Sequence, residues 1–233
     1  MLQLFPEGFE EIEHADGIEL VAYTDSGGEE RLWQVFGSAS GTDVASGWEE
    51  RWREFHRPVR VGELWIGAPW HQPPSDAMAV VIDPGRAFGT GAHATTRLCL
   101  QLLARLPRGS VVDVGCGSGV LTIAAAKLGF EPVFAVDVDE HAVEAAQSNA
   151  RANGVRIETA RLDARTARLP PADVAIVNVT RELVEAVAPR LSVRSLVASG
   201  YLQQDAAPLR GFRHVARVTD SGWAADLHER EPE

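Results

Sequence analysis

From about residue 108 onward, short apolar runs alternate with helix-forming stretches, and glycine or aspartate marks most of the junctions. Strands are predicted at Val111–Val114, Val133–Asp137, Val155–Ala160, Asp173–Asn178 and Leu196–Ser199. Between them the pattern predicts a helix over Val120–Leu128 that stops at Gly129. A second runs from Glu140 to about Asn153, capped by Asp139 and stopped by Gly154, and a third from about Glu182 to Leu191. A short helix is expected near Gln203–Leu209, then strands at about His214–Thr219 and Trp223–His228. Only Gly222 and its neighbours separate those last two, so they should form an antiparallel hairpin. Strands and helices alternating at this spacing make a doubly wound α/β domain.

The first sixty residues follow another pattern. Ser46-Gly47-Trp48-Glu49 fits a capping box, and Trp48, Trp52 and Phe55 fall at helical spacing before Pro58. Strand-like pieces occur at Ile18–Tyr23 and Leu32–Phe36. Five of the six tryptophans lie at or before position 70, and their stripe reads as core rather than as a ligand cage. A unit of this size is too short to be very stable alone. Between the two parts come a strand at Ala79–Asp83, a Pro84-Gly85 turn, a glycine-rich loop and a helix over Thr96–Leu106. Thr95 or Thr96 should stand at that helix's N-terminus, where hydroxyls and free N–H groups favour a carboxylate. The expected division is a small α+β part over 1–60, a linking strand and covering loop over 61–97, and the large α/β domain over 98–233.

The chemistry concentrates in Asp113-Val114-Gly115-Cys116-Gly117-Ser118-Gly119, between the first of these strands and its helix. Glycines at alternate positions let the backbone approach a nucleotide-like ligand. A dinucleotide fingerprint would need a third glycine at position 120, where the chain has Val120. Asp113 suits a cationic ligand end, such as the amino group of a methionine moiety, and is a poor neighbour for pyrophosphate. In this form the turn resembles that of class I S-adenosylmethionine (SAM) methyltransferases. Asp137, about twenty residues beyond the loop, can accept both ribose hydroxyls, with Asp139 capping the next helix, although either aspartate could take the other's part. Asp163 is either an acceptor for the adenine amine or a turn aspartate. Asn178 ends the fourth strand beside the crevice where open α/β sheets bind ligands.

Bulk properties exclude some classes. The net charge of −11 argues against direct nucleic-acid binding and is compatible with a basic protein partner. No apolar stretch approaches the ~20 residues of a membrane span, which points to the cytoplasm. Two cysteines, Cys99 and Cys116, make neither a disulfide framework nor a metal set.

Phe88-Gly89-Thr90-Gly91-Ala92-His93-Ala94-Thr95-Thr96-Arg97, the turn Asp113–Gly119, Asp137 and Asn178 together resemble the PrmA family, the ribosomal protein L11 methyltransferases. The likeness covers roughly residues 60–228. It implies a Rossmann-like sheet of seven strands, the last antiparallel, joined to a small ferredoxin-like, substrate-recognising domain, here lacking an opening strand and helix. It also implies SAM as cofactor and a ribosomal protein as the partner whose amino groups are methylated; a monomer is expected. Carried over by position, cofactor contacts fall on Thr96, Gly115, Asp137 and Asn178. Phe88, Gly89, Thr90, Asp113, Gly117, Gly119 and Asp163 complete the candidate cofactor set. Asn178 is the candidate catalytic residue, orienting the target nitrogen, and His93 serves either as a base or as a hydrogen-bonded loop histidine. Val179-Thr180-Arg181 departs from the family's usual small-residue ending, and Arg181 would suit an amine pocket only if it points away or pairs with Glu182 or Glu185.

Overall fold

The computed structural model describes residues 10–14, 17–21, 32, 35–36, 57–83, 91–205 and 208–231. The chain divides into two units, Met1–Glu54 and Phe55–Glu233. In the first, β1 (Glu10–His14) and β2 (Gly17–Val21) pair antiparallel. Leu32, Val35 and Phe36 are helical where the sequence predicts a strand, because so short an apolar run carries too little periodicity to separate the two. The helix expected through Trp48, Trp52 and Phe55 lies outside the described residues.

The second unit opens with a three-stranded sheet in the order β3 (Val59–Val61), β4 (Leu64–Gly67), β5 (Met78–Val81). β3 and β4 form a hairpin around Gly62, whose φ of 59° suits a tight turn, and β5 lies parallel to β4. The expected single linking strand is thus part of a sheet. Its Leu64, Ile66 and Val80 join the same core as Leu98, Leu102 and Ile123.

Then follow α1 (Ala94–Leu103), β6 (Val111–Val114), α2 (Val120–Lys127), β7 (Val133–Asp137), α3 (Glu140–Ala152), β8 (Glu158–Arg161), β9 (Val174–Asn178), α4 (Arg181–Val187), β10 (Ser195–Leu202), β11 (Phe212–Asp220) and β12 (Trp223–Arg230). The main sheet has seven strands in the order β11-β12-β10-β9-β6-β7-β8. β8, β7, β6, β9 and β10 are parallel, and β12 enters antiparallel between β10 and β11, so the last strand runs against the rest as expected. Alternate residues feed two cores. Val111, Val174 and Ile176 pack with α1 and α2 on one face, while Val112, Ala175 and Val177 pack with Val184 and Val187 of α4 on the other.

Several boundaries differ from the prediction for local reasons. α1 begins two residues early, capped by His93 rather than by either threonine. β8 starts at Glu158 because Val155 and Ile157 fold back onto the core instead of entering the ladder. α4 ends at Val187 and passes into a 3₁₀ turn, Ala188–Arg190, where Pro189 has no N–H to continue the α ladder. The short helix expected near Gln203–Leu209 is absent among the described residues there. β10 runs on to Leu202 and turns, with Gln203 N–H donating to Gly222 O (2.8 Å) and Asp205 N–H to Leu202 O (2.9 Å).

The β11–β12 hairpin is held to β10 by a buried carboxylate. Asp226 accepts from Arg217 (2.8 and 2.7 Å), Tyr201 Oη (2.8 Å) and His214 Nε2 (2.8 Å). Burial alone would raise its pKa, but these bonds more than reverse that and hold it below the usual carboxylate range.

Candidate functional site

Parallel pairing fixes where the site must lie. Val114 of β6 stands beside Val136 of β7 and Val177 of β9, so Gly115, Asp137 and Asn178 leave three neighbouring strands at the same level. Ser199 of β10 stands beside Asn178. This carboxyl edge of an open parallel sheet is where such folds bind ligands.

The glycine turn is shaped by positive φ at Gly115 (75°), Gly117 (51°) and Gly119 (81°). A Cβ at Gly119 would stand 2.9 Å from Ala146 Cβ, so the third glycine also lets α3 pack against the turn. The N–H groups of this turn are largely spent inside the protein. Gly115 and Cys116 both donate to Val136 O (2.8 and 3.2 Å), Gly117 donates to Asp137 Oδ2 (3.0 Å), and Gly119 donates to Cys116 O (2.9 Å). A pyrophosphate cradle needs such groups free and aimed at the anion. Here two carboxylates stand at the turn instead, so the field favours a neutral or cationic ligand.

Those two carboxylates differ. Asp113 is 1% exposed and accepts a 2.5 Å hydrogen bond from Thr122 Oγ1. Burial pushes its pKa up to about 7; the Thr122 bond opposes this and the charge of Asp137 adds to it. Asp137 is half-buried, and each of its oxygens accepts one backbone N–H, Oδ2 from Gly117 and Oδ1 from Asp139 (both 3.0 Å). Asp139 in turn caps α3 by accepting from His141 N–H (3.0 Å). Cys116 is buried, and its thiol pKa is raised by desolvation and by both aspartates, so it is not a nucleophile. Among the described residues no group of His, Cys, Asp or Glu could hold a metal ion.

At the N-terminus of α1, His93 Nδ1 lies 2.8 Å from Thr95 Oγ1 and accepts from Thr95 N–H (3.4 Å). Its ring packs edge-on against Trp223, and desolvation followed by the charge of Arg97 lowers its pKa. Thr96 is buried at the same helix end. Phe88, Gly89 and Thr90 lie outside the described residues. Asp163 forms a turn: its carboxylate accepts from Arg165 N–H (2.9 Å) and pairs with the Arg165 guanidinium (2.9 Å), which holds its pKa low.

Asn178 is half-buried at the end of β9, and among the described residues nothing hydrogen-bonds its side chain. Arg181 points into an ion pair, donating to Glu185 Oε1 (2.8 Å) and lying 3.9 Å from Asp205. Its charge is therefore met by carboxylates, as the sequence required of any arginine beside an amine pocket.

Two residues escaped the sequence reading. Asn149, buried on α3, donates to Ser118 O in the glycine turn (2.9 Å) and accepts from Asp83 N–H (3.1 Å), at the start of the segment that leads to Phe88–Thr90. A polar residue on the buried face of a helix was the available signal. Val138, between Asp137 and Asp139, is 61% exposed and offers an apolar surface where a flat base can rest. An apolar residue between two aspartates was its only mark.

The chain is similar to known proteins. The sequence profile of "Ribosomal protein L11 methyltransferase (PrmA)" matches residues 18–229. A ribosomal protein L11 methyltransferase from Legionella pneumophila is 39% identical over 197 residues, covering 76% of this chain and 66% of its own length. One from Aeromonas hydrophila is 42% identical over 191 residues, covering 76% of this chain and 65% of its own length. This chain thus spans just under two-thirds of those relatives. Among solved structures, a ribosomal protein L11 methylase from Lactobacillus delbrueckii subsp. bulgaricus superposes with a TM-score of 0.66 at 27% identity, over 75% of this chain and 99% of that one. A putative RNA methyltransferase from Pyrococcus horikoshii shares the fold, with a TM-score of 0.52 at 19% identity over 63% of this chain and 85% of that one.

Proposed function

The chain belongs to the PrmA family of ribosomal protein L11 methyltransferases, and from that membership we propose that it transfers methyl groups from SAM to amino groups of a large-subunit ribosomal protein. The observation that carries this reading is the convergence of the glycine turn, Asp137 and Asn178 on one edge of the sheet.

The residues suit SAM by their chemistry. The turn's N–H groups are committed, so the site rejects pyrophosphate, while the carboxylate of Asp113 behind the turn favours an ammonium group. Asp137 keeps a lone pair on each oxygen for vicinal hydroxyls of a ribose. Val138 gives the base an apolar rest, while Asp163 is spent on its turn with Arg165. Thr96 and the N-terminus of α1 suit the carboxylate end. When bound, SAM supplies a methyl group already activated by its sulfonium.

The protein's remaining work is to prepare the acceptor. A lysine amine has a reference pKa near 10.4, so holding it neutral at pH 7 costs roughly 4–5 kcal/mol. Desolvation at the half-buried strand end favours the neutral form. The side-chain carbonyl of Asn178 then accepts an N–H from the amine and turns its lone pair toward the methyl; such alignment supplies roughly 7–11 kcal/mol in well-oriented systems. His93 stays neutral near pH 7 with Nδ1 spent on the helix cap, and a role as base would fall to Nε2.

Incubation with labelled SAM and total large-subunit proteins, followed by mass spectrometry, tests the reading. Label is expected on lysine or N-terminal amines of a single ribosomal protein. Asn178→Ala should lower kcat by roughly 10²–10³ while the SAM Kd changes only a few-fold. Unchanged transfer by that variant would remove Asn178 from the mechanism. Tight SAM binding with no transfer to any ribosomal protein would reduce the chain to a SAM-binding protein.

A further inference from the structure

β9, which ends in Asn178, lies between β6 and β10, and both neighbours place a glycine against the next residue. On the β6 side, a Cβ at Gly115 would stand 2.6 Å from Val179 Cγ1. On the β10 side the fit is much closer. A Cβ at Gly200 would fall 1.7 Å from Val179 O, 2.5 Å from Val179 C and 3.0 Å from Val179 N. The backbone of Val179 therefore lies directly on the α-carbon of Gly200, in space no L side chain can share.

Gly200 reaches that position by leaving the strand geometry. Its φ is 103°, in the region that favours glycine, and the pairing of β10 with β12 shifts register between Ser199 and Tyr201. Before the bulge, Ser199 O accepts from Val179 N–H (3.2 Å), the last tie between β9 and β10. The hydroxyl of Ser199, itself buried, donates to Ala224 O (2.7 Å), which fixes the bulge to β12. None of these groups can touch a ligand through a side chain at residue 200. Their combined effect is on where the chain turns after Asn178.

From the Val179 backbone seated on the bulge, we infer that Gly200 is a positioning residue for Asn178, setting the orientation of its amide before any acceptor arrives. The inference rests on the reading of Asn178 as the group that receives the acceptor amine. Substitution at residue 200 must push Val179, and with it Asn178, away from β10. The glycine turn hangs from β6 and β7. It faces Val179 at Gly115 through the side-chain atom Cγ1, which a χ1 rotation can move aside, so the turn should be less disturbed than Asn178.

The test is a double-mutant cycle of Gly200→Ala and Asn178→Ala in the full chain, reading kcat, SAM Kd and Tm for each. Gly200→Ala is expected to lower kcat at least 10-fold with a SAM Kd within about 3-fold of the parent. In the Asn178→Ala background the same substitution should cost less than 2-fold more. Full additivity of the two losses, or a parallel loss of SAM affinity, would show a merely structural glycine and overturn the inference. If Asn178→Ala alone leaves kcat unchanged, the acceptor reading fails and takes this inference with it, which is a distinguishable result.

Should Gly200→Ala not fold, amide hydrogen exchange on the parent protein decides the matter. A preset turn requires the Val179 N–H to be protected at least 100-fold more than the neighbouring Thr180 N–H without cofactor. Equal exchange at both positions would overturn the proposal.

Discussion

Asp113 and Asp137 sit on adjacent strands, yet their surroundings give them opposite tasks. Asp137 is half-exposed and tied to backbone donors, so it is a ready acceptor. Asp113 is sealed behind the turn with Thr122 bonded to it, and burial lifts its pKa to about 7. An acid whose folded pKa is raised contributes stability below its unfolded value and loses it as the pH rises through the folded value. Here the window runs from the ordinary carboxylate range up to about 7, and Asp113→Asn should flatten the fall in Tm across it. The same ionisation couples to ligand. An α-amino group stays charged up to about pH 7.7–8, so a cationic ligand end should bind more tightly as Asp113 ionises between roughly pH 5.5 and 7. Calorimetric titration with SAM at both ends of that window is expected to show tightening in the parent and none in Asp113→Asn. Equal slopes in both proteins would assign the effect elsewhere.

At the scale of elements, α3 works as a bolt between two loops. Asn153 holds β5 by accepting from Val81 N–H (2.8 Å) and donating to Val81 O (2.6 Å). Asn149, one helical turn earlier, reaches both Asp83 and the Ser118 carbonyl. Truncating either should cost about 1–3 kcal/mol per buried group left unpaired, read as a lower Tm. They should differ in binding. Asn149→Ala is expected to weaken SAM binding roughly 10-fold, because it frees the glycine turn, whereas Asn153→Ala should leave the Kd nearly unchanged. Neither role was legible in the sequence, since the partners lie 31 to 72 residues away. What was legible has a local cause. β6, β7 and β9 are apolar runs bounded by turn residues, and the glycine turn declares itself by its spacing. β3 and β4 escaped notice because they are only three and four residues long, although Gly62-Glu63 between them is a two-residue hairpin signal. The extension of β10 through Gly200 was equally hidden, because a bulge is defined by its partner strand.

Over the whole molecule, charge and division into units set how a protein acceptor can be engaged. A net charge of −11 would attract a basic protein acceptor at long range, and salt screens such attraction over about 8–10 Å. The KM for the protein acceptor should therefore rise several-fold between 50 and 300 mM salt, roughly the range in which surface fields are lost, while the SAM Kd moves little. A more local dependence concerns the two units. Every described group assigned here to cofactor or acceptor lies in the unit Phe55–Glu233, and so does the core that includes Leu64, Ile66 and Val80. A fragment of residues 55–233 is expected to melt cooperatively and to bind SAM within a few-fold of the full chain. If the unit Met1–Glu54 recognises the acceptor, the fragment should lose at least 10-fold in kcat/KM toward the ribosomal protein and keep its rate toward a short lysine peptide. Equal activity of fragment and full chain on the ribosomal protein would move recognition onto the catalytic unit itself, where the rim formed by Glu182, Glu185 and Asp205 around Arg181 would be the next surface to vary.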